Sequence, residues 1–132
     1  MLRIQTEMLS IFVVDDQRII ADTLAIILKH NQFDARAFDD PQDALEAAAL
    51  SPPHLLISDV AMPTMTGLEL AVHFRVRYPR CKVLLFSGQA NTRTLLDDAR
   101  ALGYDFEILN KPIHPEDLIN KISLSGLSHL PN

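Results

Sequence analysis

Four short runs of consecutive apolar residues punctuate the chain: residues 11–14 (IFVV), 55–57 (LLI), 83–86 (VLLF) and a weaker fourth, 106–109 (FEIL). Unbroken apolar runs of this length suit strands buried on both faces, as in parallel sheets. A fifth stretch, residues 35–38 (ARAF), alternates and suits an edge strand. Between these runs the apolar spacing turns helical. Ile20, Leu24, Ile27 and Leu28 form one stripe. Leu45, Ala48 and Ala49 form a second, behind Asp40 and Pro41, a capping residue followed by proline at the first helical position. Ala71, Phe74 and Tyr78 form a third, ended by Pro79. Leu95, Ala99 and Leu102 form a fourth, ended by Gly103, and Leu118, Ile119 and Ile122 form a fifth behind Pro115. Strand and helix alternate, which predicts an α/β domain with a parallel sheet and right-handed crossovers.

Composition narrows the function classes. A length of 132 residues fits one domain, and 48% hydrophobic residues are ample for a core. The net charge of −5 disfavours binding of nucleic acid by this chain, because a phosphate backbone needs a basic surface. No apolar run approaches the roughly 20 residues that span a bilayer. The start of the chain lacks a small-residue cleavage site and runs into two aspartates. One cysteine, Cys81, excludes an internal disulfide framework and fits a reducing compartment, so a cytoplasmic protein is expected.

The conspicuous polar residues fall at one kind of place. Asp15 and Asp16 follow the first apolar run, Asp59 the second and Ser87 the third, while Lys111 comes just after the fourth. All five positions are carboxyl ends of expected strands, the edge where open α/β sheets bind ligands. Three carboxylates gathered in one crevice repel each other. Either some stay protonated or a cation sits among them. Oxygen ligands without histidine or cysteine suit Mg²⁺. A hydroxyl at Ser87 and an ammonium at Lys111 are groups that a phosphoryl oxygen seeks. A carboxylate is also a nucleophile able to form an acyl phosphate, and the central Asp59 is the best placed.

In order along the chain, VVDD (13–16), SDVAMPTMTGLEL (58–70), LLFSGQA (84–90) and NKPI (110–113) resemble the receiver domain of two-component response regulators. The resemblance covers nearly the whole chain. It implies a receiver domain over residues 9–122, with an N-terminal arm (1–8) and a C-terminal tail or linker stub (123–132). It also implies a flavodoxin-like, doubly wound sheet of five parallel strands in the order 2-1-3-4-5; receivers are standing examples of that order. Asp59 would be the phosphoacceptor, taking a phosphoryl group from a sensor histidine kinase or a histidine phosphotransfer protein. Asp16, Asp59 and the backbone carbonyl of Ala61 would ligate Mg²⁺ directly, and Asp15 through water. Ser87 and Lys111 would hold phosphoryl oxygens, and Pro112 would follow a cis peptide bond. Ser87, Ile108 and Phe106 would form the switch region, although receivers often carry Tyr or Phe where Ile108 stands. The connection from Gly103 to Lys111 is one residue longer than usual, which predicts a bulge at the start of the fifth strand.

Plainer roles compete. Asp15 and Asp16 could simply cap the first helix. Gly67 reads as a turn or helix-start residue, Met62 and Met65 as packing, and Cys81 as structural. His30, His54, His73, His114 and His129 show no zinc spacing. As functions, the leading expectation is a phosphorylation-dependent switch, not an enzyme, that changes its protein-binding surface. It would act on a downstream protein target or on an output domain missing from the chain, and a homodimer is compatible with it. A haloacid dehalogenase-type phosphohydrolase is the alternative, though its nucleophile ends the first strand in a D-x-D arrangement. A non-phosphorylated receiver-like binding module is the third reading.

Overall fold

The computed structural model describes residues 8–88 and 92–123. Five strands alternate with five helices: β1 (Ser10–Val14), α1 (Arg18–His30), β2 (Asp34–Phe38), α2 (Pro41–Leu50), β3 (Leu55–Asp59), α3 (Gly67–Arg77), β4 (Lys82–Ser87), α4 (Thr92–Ala101), β5 (Glu107–Asn110) and α5 (Pro115–Ile122). All neighbouring strands pair in parallel, in the order β2-β1-β3-β4-β5. The alternating 35–38 stretch forms the edge strand β2, as its pattern predicts.

The unbroken apolar runs have a simple cause. Side chains alternate across a strand, and both faces of this sheet are covered. Ile11, Val13, Leu55, Ile57, Leu84 and Phe86 pack into one cluster with α1 and α5. Phe12, Val14, Leu56, Val83 and Leu85 pack into the other, with α2, α3 and α4. Each fully buried Leu, Ile or Phe contributes about 1.5–3 kcal/mol, so the apolar runs of the central strands β1, β3 and β4 carry no polar residue on either face.

Local signals set the helix boundaries. The Asp40 side chain accepts from the Gln42 N–H at 2.9 Å and caps α2, with Pro41 at its start. A reciprocal capping box starts α3: Thr66 Oγ1 accepts from Glu69 N, and the Glu69 carboxylate accepts from Thr66 N. Gly103, at φ +94°, follows α4 in the left-handed region that favours glycine.

Some expectations need correction. Ala49 and Leu102 are exposed; the buried stripe of α2 is Ala44 and Ala48, four residues apart. The cap of α1 is Gln17, without a side-chain cap bond; neither Asp15 nor Asp16 caps that helix. β5 pairs with β4 in continuous register from Glu107, and residues 104–106 before it are not in strand, so the longer connection lies ahead of the strand and forms no bulge within the pairing. The expected strand residue Phe106 is therefore outside β5, though buried. Residues 1–7 of the expected arm, Gln89, the Leu95 side chain and residues 124–132 of the expected tail lie outside the described residues.

Candidate functional site

The site is built where the polar residues end the strands. β3 runs two residues past its apolar run, through Ser58 to Asp59, and both are buried. Ser58 Oγ donates to the Asp59 carbonyl at 3.0 Å. Asp15 follows β1 and is completely buried. Its Oδ1 accepts from the Gln17 N–H at 2.9 Å, which ties down the β1–α1 loop, and its Oδ2 accepts from Lys111 Nζ at 3.4 Å. Asp16 is exposed. Carboxylate oxygens of Asp15, Asp16 and Asp59 all lie within 4.8 Å of one another.

Lys111 reaches the same crevice from beyond β5. Its backbone N–H donates to the Ser87 carbonyl at 2.9 Å, which fixes the chain end to β4. Its ammonium stands 3.5 Å from Asp59 Oδ2 and its side chain is 25% exposed. The Lys111–Pro112 peptide bond is cis, as the resemblance implies. Ser87 ends β4 and is buried. Asp15, Asp16, Asp59 and Lys111 are thus brought together at one rim, and Ser87 closes the neighbouring strand.

Burial pushes the Asp59 carboxyl above its ordinary value of 3.8. Lys111 opposes that rise, the Asp15 charge adds to it, and a hydrogen bond from the Ala61 backbone lowers it again. A group under such opposed influences is easily tipped by an arriving cation or anion. The donor set fits a hard divalent cation: it offers carboxylate oxygens from two strands and no histidine or thiol.

The expected switch positions lie to one side. Ile108, in β5, is half-buried and packs against the cluster beneath α3 and α4, and Phe106 is buried in that same cluster. Tyr104 stacks on the Phe106 ring at 6.1 Å, and the Arg75 guanidinium lies 5.1 Å from its centroid. Met62 is buried in that cluster, and the partly buried Met65 packs against the cluster. Cys81 is buried, and burial pushes its thiol up to about 12. His54 Nδ1 accepts from the Ser10 N–H at 2.9 Å.

Gly67 was legible only as a helix start. A Cβ there would lie 1.9 Å from the Asp59 carbonyl oxygen, so α3 can enter this close to Asp59 only through glycine. Its N–H donates to the Val60 carbonyl at 2.8 Å. The T-x-x-E capping box at Thr66 places the helix start and was the available signal; the close approach itself has none in one dimension.

A family model described as the response regulator receiver domain matches residues 11–123. The two-component response regulator ARR21 of Arabidopsis thaliana is 32% identical over 126 residues, covering 94% of this chain and 20% of its own. The cell cycle response regulator CtrA of Brucella ovis is 25% identical, covering 85% of this chain and 47% of its own. The chain therefore spans a fifth to a half of the length of these relatives. The crystal structure of the chemotaxis protein CheY4 of Vibrio cholerae superposes with a TM-score of 0.77 at 27% identity, covering 89% of this chain and 98% of that one. With an ordered set of motifs, a matching sheet and an acidic rim that faces a lysine, the chain belongs to the response regulator receiver domain family.

Proposed function

We propose that Asp59 accepts a phosphoryl group from a phosphohistidine on a sensor histidine kinase or phosphotransfer protein, with Mg²⁺ as cofactor, and that the modification changes a protein-binding surface. The observation that carries this reading is the clustering of Asp15, Asp16 and Asp59 within 4.8 Å, with Lys111 3.5 Å from Asp59. Members of the family are regulatory phosphoacceptor domains and not classical enzymes.

Each residue has a stated task. An Asp59 carboxylate oxygen attacks phosphorus while the bond from phosphorus to the donor breaks, and the leaving group departs with that electron pair. Asp16, Asp59 and the carbonyl of Ala61 would hold the cation directly, and Asp15, whose two oxygens already accept protein donors, would act through water. The cation supplies neutralisation of charge on the phosphoryl oxygens. Lys111 pairs with one such oxygen, and the Ser87 hydroxyl donates to another. Drawing Ser87 toward the phosphoryl group couples the site to Ile108 and Phe106 across β5, and a partner that prefers one arrangement shifts the population.

A groove of about 530 Å³ opens beside Lys111, lined by Ile19, Ile20 and Ile27 of α1 and by Phe86, Lys111 and Ile113. Ile19 is 75% exposed. A helix that presents a phosphohistidine on an apolar face fits there, with its phosphoryl group next to Asp59. The hydrolase alternative finds no support: β1 ends in Val14 followed by Asp15-Asp16-Gln17, without the D-x-D arrangement. No described helix is long and apolar enough to cross a membrane.

Incubation with acetyl phosphate and Mg²⁺, followed by intact-mass measurement, tests the reading. Wild type gains one phosphoryl group, and Asp59→Asn gains none. A stable adduct on Asp59→Asn, or none on wild type, refutes it.

A further inference from the structure

The Lys111 ammonium lies 5.1 Å from the centroid of the Phe86 ring. Phe86 is completely buried, at the carboxyl end of β4, and its register partner on β3 is Asp59 itself. The tripeptide 86–88 therefore meets Lys111 along its whole length. The Ser87 carbonyl accepts the Lys111 N–H at 2.9 Å, and the stem passes the Gly88 backbone, where an added Cβ would lie 3.5 Å from Lys111 Cβ. The ring then underlies the charged end. Core packing accounts for the burial of Phe86 against the α1 and α5 side. It does not account for a cation over the ring face.

The two carboxylates hold the ammonium loosely. Asp15 Oδ2 at 3.4 Å and Asp59 Oδ2 at 3.5 Å are both longer than the roughly 2.8 Å of a strong charge-assisted bond. A directional anchor would have to break whenever Asp59 changes charge. An aromatic face attracts a cation without demanding a bond direction, so it holds the ammonium while letting it slide.

We propose that Phe86 is a positioning residue for phosphoryl transfer, its ring face keeping the Lys111 ammonium at the mouth of the site as Asp59 passes from carboxylate to acyl phosphate. This rests on Asp59 being the phosphoacceptor. The ring acts through Lys111 and touches no reacting atom.

The test keeps the shape of the ring and removes its charge. Position 86 of the full chain is loaded with phenylalanine carrying one, two or three ring fluorines, which weakens the negative face stepwise. Acyl-phosphate formation from acetyl phosphate and Mg²⁺ is followed by intact mass, and urea midpoints are recorded in parallel. The rate falls stepwise, by about three- to tenfold across the series, while the urea midpoint stays put. In metal-free protein, proton NMR finds the Lys111 side-chain resonances shifted upfield by the ring, and Phe86→Leu abolishes that shift. A flat rate across the series, or Lys111 resonances at the same place in wild type and Phe86→Leu, overturns the proposal. If wild type forms no acyl phosphate, the reading of Asp59 fails instead, and the NMR comparison still decides whether the ring holds the ammonium.

Discussion

Replacing Asp59 by Asn removes a charge from the centre of the acidic rim, and in metal-free protein this is expected to stabilise the fold. At an effective dielectric near 20, Lys111 at 3.5 Å attracts the Asp59 carboxylate by about 5 kcal/mol. Asp15, with a ligand oxygen within 4.8 Å, repels it by about 3.5 kcal/mol or more. Asp16 adds repulsion, screened by its exposure. These opposite contributions nearly cancel, so burial decides, and burial is the largest cause of the raised Asp59 pKa. Asparagine avoids that desolvation, while Lys111 keeps Asp15 as a partner. The expected gain at pH 7 is about 1–2 kcal/mol, or about 3–8 °C in Tm. Its pH dependence has a definite sign. The folded-state pKa lies above the ordinary 3.8, so the ionised carboxylate costs stability at neutral pH. As pH falls through the folded value and then below 3.8, the carboxyl is protonated in both states and the cost disappears. The advantage of Asp59→Asn is therefore full at pH 7 and gone below pH 3.8. Mg²⁺ works against that advantage: at a hundredfold excess over Kd, wild type gains about 2.7 kcal/mol and the variant less. Urea titrations across pH, with and without Mg²⁺, measure all three effects. A variant less stable than wild type at pH 7 without metal, or equal Mg²⁺ responses, refutes the reasoning.

Three further outcomes are expected. Gly67→Ala places a Cβ 1.9 Å from the Asp59 carbonyl oxygen and forces backbone apart; it costs about 3 kcal/mol in urea denaturation and slows acyl-phosphate formation. Ile19→Asp puts a carboxylate on the apolar lip of the groove beside Lys111, so transfer from a phosphohistidine protein falls at least tenfold while phosphorylation by acetyl phosphate stays within twofold, as rate measurements with the two donors would read. The Cys81 thiol, buried and pushed up to about 12, reacts with a thiol reagent at pH 8 only as fast as the chain unfolds; a rate first-order in reagent and independent of urea would contradict this.

How much of this was legible in the sequence follows from the range of each interaction. The strands were readable because burial on both faces leaves an unbroken apolar run, and Asp40-Pro41 was readable because a cap is local. The carboxyl-end rule brought Asp15, Asp16, Asp59, Ser87 and Lys111 to one rim without any coordinates. β3 was read two residues short, because Ser58 and Asp59 are polar where the apolar pattern stops, yet they stay paired with β4. Ala49 and Leu102 were misplaced because a helical stripe drawn from two or three small residues does not fix which face is buried. The approach of Gly67 to the Asp59 carbonyl and of Phe86 to Lys111 join chain segments only in three dimensions, and no spacing encodes them.

The rim is in effect a readout of strand register. Val14 pairs with Ser58, Asp59 with Phe86, and Ser87 with Asn110, the residue before Lys111. Asp15, Asp59, Ser87 and Lys111 thus each stand within one residue of a paired position, and Asp16 follows two residues after Val14. A slip of β3 by one residue would exchange its two faces. Leu56 would leave one core, Ile57 the other, and Asp59 would turn away from Lys111. The same burial that stabilises the sheet therefore fixes the distance between the carboxylates and the ammonium. A substitution that loosens β3, such as Ile57→Ala, costs about 2–5 kcal/mol in stability. It also lowers acyl-phosphate formation under conditions where the chain remains folded, because the register of the strands beneath the rim sets where Asp59 stands relative to Asp15 and Lys111.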